Sequence, residues 1–160
     1  MMKATIKVTG FGEMQFELDE QAAPITVENF ATLAESGFYN GLAFCRIVPN
    51  FVIQGGSKTN SIMGESDHTI KGEFLSNGVN NPLKHVKGAL SMARSQDPDS
   101  AGTQFFVVLE AAPHLDGNYA AFGNMISGFE VLEQIGAVPT SGPHNTPLDM
   151  PFMESVTIER

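Results

Sequence analysis

Short segments with the two-residue periodicity of β-strands, separated by turns that contain glycine and proline, occupy most of this chain and limit what it can fold into. The segments "KATIKVT" (residues 3–9) and "GEMQFELD" (12–19) predict an antiparallel hairpin around Gly10 and Gly12. Further strands are predicted over residues 43–48, 51–54, 88–94, 103–110, 118–126 and 152–159.

Two stretches have helical periodicity instead. The first predicted helix covers residues 25–35, and its apolar stripe consists of Val27, Phe30, Leu33 and Ala34. The second begins after Ser127, its predicted N-cap, and has apolar residues at Phe129, Leu132 and Ile135. Because the chain lacks the one-helix-per-strand alternation of parallel α/β folds, we predict a mainly β fold, a closed eight-stranded antiparallel barrel capped by two helices.

The length and the patterning of the chain also predict its organisation. Its 160 residues are about one domain long and no linker or composition shift divides them, so we expect a single domain over residues 1–160. A barrel of this size fills its interior with side chains. We therefore expect a binding site on the outer wall or at the rim.

The charge and the cysteine count exclude several classes of partner. Nine Lys and Arg against 18 Asp and Glu give a formal charge of -9, so we expect neither nucleic acid nor a membrane as partner. The N-terminal segment lacks the apolar region of a secretory signal, so a cytoplasmic location is expected. Cys45 is the only cysteine and no Cys/His cluster is present, so we expect no metal and no cofactor. A monomer is expected.

Residues 57–87 form a long polar stretch with little periodicity, which predicts a loop, and residues 139–151 predict a second one. Loops as long as the first are usually functional or mobile. The four histidines, His68, His85, His114 and His144, lack metal-ligand spacing and are predicted to lie at the surface or in loops. No G-x-S-x-G nucleophile motif is present, so hydrolase chemistry is not supported.

The run "FCRIVPNFVIQGG" (residues 44–56) places Arg46 among apolar residues. In a pair of strands one face would carry Arg46, Val48, Val52 and Gln54, provided that the bend at Pro49-Asn50 keeps the phase. Ile47 and Ile53 would then point to the other face. An amphipathic strand with its polar side chains in solvent explains the same pattern, so this segment alone leaves both interpretations open.

The segment "TQFFVVLE" (residues 103–110) places two phenylalanines next to each other. Gln104 and Phe106 share one side of this strand, whereas Phe105 and Val107 share the other. One ring can therefore enter the core while its neighbour lies on an exposed apolar surface. Simple packing of both rings is the alternative.

Together these segments resemble the cyclophilin family of peptidyl-prolyl cis/trans isomerases. "FCRIVPNFVIQGG" resembles the family's F-H-R-[IV]-[IV]-x-x-F-[MV]-x-Q-G-G signature, and "GALSMAR" resembles its G-x-[LI]-S-M-A stretch. "GTQFFVVLEAAPHLDGNYAAFG" resembles the block from S/T-Q-F-F-[IV] to L-D-G-x-[HY]-x-x-F-G. The order and approximate spacing agree over nearly the whole chain. The loop "ARSQDPDSAG" has the longer form of bacterial members.

The resemblance implies a substrate groove on the outer face of the barrel, proline-containing polypeptides as substrates and a role in protein folding. It assigns Arg46 as the catalytic arginine and Gln54 as the glutamine that binds a substrate carbonyl. It assigns further substrate contacts to Phe51, Val52, Met92, Ala93, Arg94, Gln104, Phe106, His114, Leu115 and Tyr119, with Phe51, Val52, Phe106 and Leu115 forming the proline pocket. The contact at Arg94 would be made by its main chain, so that having Arg where Asn is common need not matter.

The sequence departs from the family pattern at several of these positions. Val52 stands where Met is frequent, and Tyr119 stands in place of the pocket histidine. His114 occupies the position of a tryptophan that is important for tight cyclosporin binding, so the resemblance implies isomerase activity with weak cyclosporin binding. Cys45 replaces the usual histidine beside the arginine and is interpreted as a packing residue.

The sequence leaves three functions open. An isomerase needs no nucleophile because rotation about an X-Pro bond breaks no bond, and Arg46 is predicted to donate to the prolyl nitrogen of the twisted amide. A proline-peptide binding module or holdase chaperone would use the same pocket. A barrel that carries a small apolar ligand would need a hollow interior, which the bulky apolar residues on both strand faces disfavour.

Overall fold

A computed structural model gives the fold and describes residues 2–64 and 66–160. The strands are β1 (Met2–Val8), β2 (Gly12–Leu18), β3 (Phe44–Val48), β4 (Val52–Gly55), β5 (Ala89–Met92), β6 (Phe105–Val108), β7 (Ala121–Ser127), β8 (Thr140–Ser141), β9 (Thr146–Pro147) and β10 (Met153–Glu159). The helices are α1 (Pro24–Glu35) and α2 (Phe129–Gly136), with 3₁₀ turns at Leu75–Asn77 and Pro113–Leu115. Within the described ranges, no helix has the length and hydropathy needed to span a membrane.

Eight of the strands form one antiparallel sheet in the order β10-β1-β2-β7-β5-β6-β4-β3. Each of the predicted strands corresponds to one of these eight, and the short pair of β8 and β9 lies within the second predicted loop. The sheet is curled but open, with β3 and β10 at its ends. The predicted mainly β fold with two helices is confirmed, whereas the predicted closure of the barrel is not.

The chain segment 145–151 explains why the two ends of the sheet do not form a regular ladder. It lies along the edge of β3, where the Ile47 N–H donates to the Asn145 carbonyl at 3.0 Å and the Phe44 N–H donates to the Pro151 carbonyl at 2.9 Å. Because proline has no N–H, neither Pro147 nor Pro151 can donate a ladder hydrogen bond to a neighbouring strand. An isolated bridge between residues 43 and 152 joins the ends instead.

The hairpin of β3 and β4 keeps its phase through the bend. Its register pairs Arg46 with Gln54, Ile47 with Ile53 and Val48 with Val52. Asn50, in the turn, has a φ of +62°. Ile47 and Ile53 are fully buried in the core, while Val52 belongs to a separate cluster on the other face. The predicted division of this segment into two faces is confirmed.

Aromatic and aliphatic side chains fill the interior of the curled sheet. Phe30 of α1 lies 5.3 Å from Phe105, edge to face, and 5.2 Å from Phe122. Phe105 and Val107 belong to this core, whereas Phe106 belongs to the outer cluster, as the strand periodicity predicts. The filled interior is inconsistent with a hollow ligand-carrying barrel.

Helix α1 begins at Pro24, one residue before the predicted start. Glu73, which is distant in sequence and almost fully buried, accepts hydrogen bonds from the N-terminal turn of α1. The Glu73 carboxylate accepts hydrogen bonds from the Thr26 N–H at 2.6 Å, the Thr26 hydroxyl at 2.7 Å and the Ile25 N–H at 3.2 Å. A negative charge at a helix N-terminus is stabilising because the first N–H groups lack partners within the helix.

Helix α2 begins differently from the prediction. Ser127 is the last residue of β7, and its hydroxyl donates to the Gln15 side-chain oxygen at 3.1 Å. The N-cap is Gly128, whose φ is +92° and whose Cβ, if present, would lie 2.3 Å from the Glu13 carbonyl oxygen. The prediction of Ser127 as N-cap is therefore wrong, because strand pairing extends to that residue.

The predicted loop over residues 57–87 has no regular structure apart from the 3₁₀ turn, and residue 65 lies outside the described residues. Among the described residues of this loop, four polar ones are nevertheless buried: Ser57, Glu73, Asn81 and His85. The Asn81 amide donates to the carbonyls of Glu73 at 2.9 Å and Ala121 at 2.8 Å. These bonds anchor the loop to β7 and, through Glu73, to α1.

Candidate active site

A groove lies on the outer face of the sheet, over an apolar cluster that packs separately from the core. Its cavity, which we call the outer groove, has a volume of about 190 Å³. It is lined by Arg46, Phe51, Val52, Gln54, Ala93, Arg94, Phe106, Leu115 and Tyr119. All nine belong to the residues that the sequence analysis assigned to the site, and the three others are Met92, Gln104 and His114.

Two larger depressions lie elsewhere on the surface. One, of about 540 Å³, runs beside α1, and the other, of about 400 Å³, lies between residues 9–11 and 148–152. Their linings are mainly apolar and neither includes an arginine. The outer groove is smaller but combines a permanent cation, an amide and aromatic rings.

A chain of side-chain hydrogen bonds forms the polar wall of the outer groove. The Arg46 guanidinium donates to Gln54 Oε1 at 3.1 Å, and Gln54 Nε2 donates to Gln104 Oε1 at 3.1 Å. Gln104 Nε2 in turn donates to the Gly64 carbonyl at 3.1 Å. This chain fixes the orientation of the Gln54 amide. These hydrogen bonds leave one of the two N–H groups of the Gln54 amide, and most of the five N–H donors of Arg46, for a ligand.

The apolar wall is built from three parts of the chain. Phe106 of β6 forms its floor and is 5% exposed. Tyr119 stands edge-on to Phe106, with ring centroids 6.0 Å apart, and Leu115 packs in the same cluster. Phe51 and Val52 close the side formed by the β3–β4 turn. The wall offers an apolar surface next to the donors of Arg46 and Gln54.

The three predicted residues outside the lining have different positions. Gln104 accepts a hydrogen bond from the Gln54 amide but does not itself line the outer groove. His114 is exposed at the rim, where its ring stacks on Phe51 with centroids 5.6 Å apart. Met92 is 1% exposed in the core inside the sheet, because it shares strand parity with the buried Leu90. Its position does not support the predicted substrate contact.

The side chain of Arg94 has contacts that the sequence analysis did not expect. Its guanidinium carbon lies 4.7 Å from the centre of the Tyr119 ring and 5.0 Å from that of Phe74. Its Nε and Nη2 donate to the Asn118 carbonyl at 3.1 and 2.7 Å. Arg94 therefore connects the end of β5 to the segment that carries Tyr119.

Replacing Arg94 with asparagine should reduce the free energy of unfolding by about 1–2 kcal/mol, because cation–π contacts contribute about 0.5–1 kcal/mol each at accessible sites. The melting temperature should fall by about 2–8 °C for a chain of this size. Arg94→Lys keeps the charge but loses the planar donors. Its melting temperature should therefore lie between those of the wild type and Arg94→Asn. Thermal unfolding followed by circular dichroism checks this, and an unchanged melting temperature in Arg94→Asn would contradict it.

His85 lies next to the groove, although no pattern in the sequence indicates this position. It lies in a loop, as predicted, but is 1% exposed rather than at the surface, and its ring stacks on Phe106 at a centroid distance of 6.0 Å. Its side chain hydrogen-bonds Asp116, which lies 31 residues further along the chain, so no local sequence signal indicates the contact.

Cys45 is buried and burial raises the pKa of its thiol, which agrees with a packing role.

The groove presents donors and an apolar surface at fixed positions. Within residues 2–64 and 66–160, no group of three His, Cys, Asp or Glu side chains is placed to hold a metal ion. A permanent guanidinium beside a ring-sized apolar surface suits a ligand that has a saturated ring and polar main-chain groups. A proline residue in an extended peptide has both features.

Comparison with known proteins agrees with this geometry. The model of the family described as "Cyclophilin type peptidyl-prolyl cis-trans isomerase/CLD" matches residues 3–160. Peptidyl-prolyl cis-trans isomerase B of Bacillus subtilis is 48% identical over 123 residues, which cover 77% of this chain and 82% of the relative. Peptidyl-prolyl cis-trans isomerase-like 1 of Aspergillus oryzae is 42% identical over 142 residues, covering 88% and 86%.

A crystal structure of a Cryptosporidium parvum cyclophilin-type isomerase has a TM-score of 0.89 to this fold, with 30% identity and 99% coverage of both chains. The fold and the groove thus define a prolyl isomerase of the antiparallel-sheet type. The chain belongs to the cyclophilin-type peptidyl-prolyl cis-trans isomerase family and is an isomerase.

Proposed function

We propose that this enzyme accelerates rotation about X-Pro bonds by a hydrogen bond from Arg46 to the prolyl nitrogen, and that it thereby assists the folding of its substrates. One observation supports this proposal above the others. Arg46 and Gln54, bonded to each other at 3.1 Å, line the same cavity as the apolar side chains of Phe51, Phe106 and Leu115. Donors and a ring-binding surface are thus within reach of one prolyl residue.

The chemistry requires no covalent step. The X-Pro bond resists rotation because the nitrogen lone pair is delocalised into the carbonyl, with a barrier of about 18–20 kcal/mol. In the twisted amide the lone pair is localised on nitrogen and can accept a hydrogen bond. A donor at this position binds the twisted state more strongly than either planar isomer, and this differential binding lowers the barrier.

The expected contribution of Arg46 follows from the strength of such bonds. A hydrogen bond from a charged group contributes about 1.5–3 kcal/mol, which corresponds to about one to two decades in rate. The remaining acceleration must come from holding one end of the bond while the other turns. Phe51, Phe106 and Leu115 would hold the ring, and the free N–H of Gln54 would hold a neighbouring carbonyl.

Proline-containing peptides are the proposed substrates. The Cryptosporidium parvum relative was crystallised in the presence of the dipeptide Ala-Pro. By analogy we expect an Ala-Pro unit to place its pyrrolidine ring against Phe106 in the outer groove. The proposed acceptor for Gln54 is a main-chain carbonyl, so the side chain before proline contributes little to this contact.

An isomerisation assay on an Ala-Pro-containing peptide tests the proposal. NMR exchange spectroscopy or a protease-coupled assay should show catalysed interconversion of the cis and trans isomers by the purified chain. Peptide binding without acceleration would refute the proposal and support a proline-peptide binding module or holdase chaperone. Peptide titration followed by chemical shifts measures binding in the same samples.

Cyclosporin should bind weakly to this enzyme, and His114→Trp should tighten binding about tenfold. The physical reason is the larger apolar surface of an indole at the rim beside Phe51, at about 25 cal/mol per Å² of buried area. Isothermal titration calorimetry of the wild type and the variant checks the change in Kd. His114→Phe, which keeps a single ring, is the matched control. Equal affinities of the wild type and His114→Trp would remove this position from drug recognition.

A further inference from the structure

A chain of three hydrogen-bonded polar side chains, two of them buried and the third partly exposed, lies behind the outer groove. His85 Nδ1 bonds Asp116 Oδ1 at 3.0 Å, and His85 Nε2 bonds the Ser91 hydroxyl at 2.8 Å. Ser91 is 0% exposed and His85 1%. The geometry resembles a catalytic serine triad, but a hydroxyl that is sealed from solvent and substrate cannot attack a carbonyl, so the chain needs another explanation.

The imidazole ring of His85 contacts the two rings of the groove from behind. It lies nearly parallel to Phe106, with an interplanar angle of 22° and centroids 6.0 Å apart. It is edge-on to Tyr119, at 6.5 Å and 80°. Phe106 and Tyr119 also contact each other edge to face. His85 therefore contacts both Phe106, at the bottom of the groove, and Tyr119, at its side.

The main chain of His85 fixes the segment that carries Leu115. The His85 N–H donates to Asp116 Oδ1 at 2.6 Å, and its carbonyl accepts from the Ala112 N–H at 2.8 Å. These two hydrogen bonds hold the residues on either side of the 3₁₀ turn Pro113–Leu115, namely Ala112 and Asp116. Burial lowers the pKa of His85 despite Asp116. Because the Asp116 carboxylate can only accept, His85 Nδ1 donates to it, and in the neutral ring Nε2 then accepts from the Ser91 hydroxyl.

We propose that His85 is a positioning residue of the isomerase, which fixes Phe106, Tyr119 and Leu115 in the arrangement that binds the proline ring. This inference rests on the proposed function of the outer groove. His85 does not line the groove and would act through the side chains that do. Because the proline ring is held in the planar and twisted states alike, losing this support should weaken binding more than turnover.

Three variants separate the contributions of the ring and of its two hydrogen bonds. His85→Phe keeps a stacked ring and removes both side-chain bonds. His85→Asn places an amide near the position of Nδ1 and can keep the bond to Asp116, whereas His85→Gln reaches towards Ser91. For His85→Phe we expect KM for an Ala-Pro peptide to rise about three- to tenfold with kcat within about twofold. At least one amide variant should recover part of the loss.

Ile6→Val, in the core and away from the groove, is the matched control. It should lower the melting temperature and leave KM unchanged, because a purely structural change does not alter the groove of folded molecules. The Kd of the Ala-Pro dipeptide, measured by NMR titration, should rise in parallel with KM. If the wild type does not isomerise the peptide, the proposed function fails, and the Kd values alone then test the positioning role.

An unchanged KM and Kd in folded His85→Phe would overturn the inference. If none of the His85 variants folds, Ser91→Ala decides, because it removes only the hydroxyl that bonds Nε2. In that case a KM about twofold or more above the wild-type value would support the positioning role. A wild-type KM in Ser91→Ala would then refute it.

Discussion

Arg46→Ala should reduce kcat/KM for an X-Pro peptide by about one to two decades, since a charged hydrogen bond to the twisted amide contributes about 1.5–3 kcal/mol. Most of the loss should be in kcat, because the bond to the prolyl nitrogen exists only in the twisted state. The melting temperature should stay within a few degrees, because the side chain is only half-buried and bonds a neutral amide. NMR exchange rates and thermal unfolding measure the two effects.

Arg46→Lys is the control for geometry. Lysine keeps the positive charge but lacks the planar set of donors that can reach Gln54 and a substrate nitrogen together. We expect activity well below that of the wild type. Full activity in Arg46→Lys would refute the proposed geometry, and full activity in Arg46→Ala would refute the proposed role of this residue altogether.

Glu73→Ala should reduce the free energy of unfolding by about 3 kcal/mol, because it leaves three donors at the start of α1 without their acceptor. The buried carboxylate accepts from the main chain of Ile25 and from both the main chain and the hydroxyl of Thr26. For a chain of this length, the melting temperature should fall by about 6–12 °C. Chemical denaturation and thermal unfolding give both quantities.

Glu73→Gln and Glu154→Ala are the controls for this stability prediction. Glutamine keeps one acceptor oxygen without the charge, so an intermediate loss is expected. Glu154 is half-exposed and pairs with Lys7 at the surface, so its removal should change stability by less than about 1 kcal/mol. If Glu73→Ala is as stable as Glu154→Ala, Glu73 does not cap the helix in solution.

Local patterns in the sequence predict the strands and the faces of the groove well. The two-residue period separates Arg46 and Gln54 from Ile47 and Ile53, and the structure has this division in the register of β3 and β4. A strand's side-chain alternation is fixed by its own backbone, so it can be read without knowing its neighbours. Met92 shows the limit of the family resemblance, because a matching segment does not tell which side chains reach the groove.

The sequence by itself determined the order of the main strands and helices and the parity of each strand, and its family resemblance implied which residues hold a prolyl ring. Only the tertiary structure decided the openness of the sheet, the cap of α1 by Glu73 and the burial of His85 against Asp116 and Phe106. The reason is physical: side-chain alternation is fixed by the local backbone of one strand, whereas these contacts join residues 21 to 48 positions apart and exist only after the chain has folded.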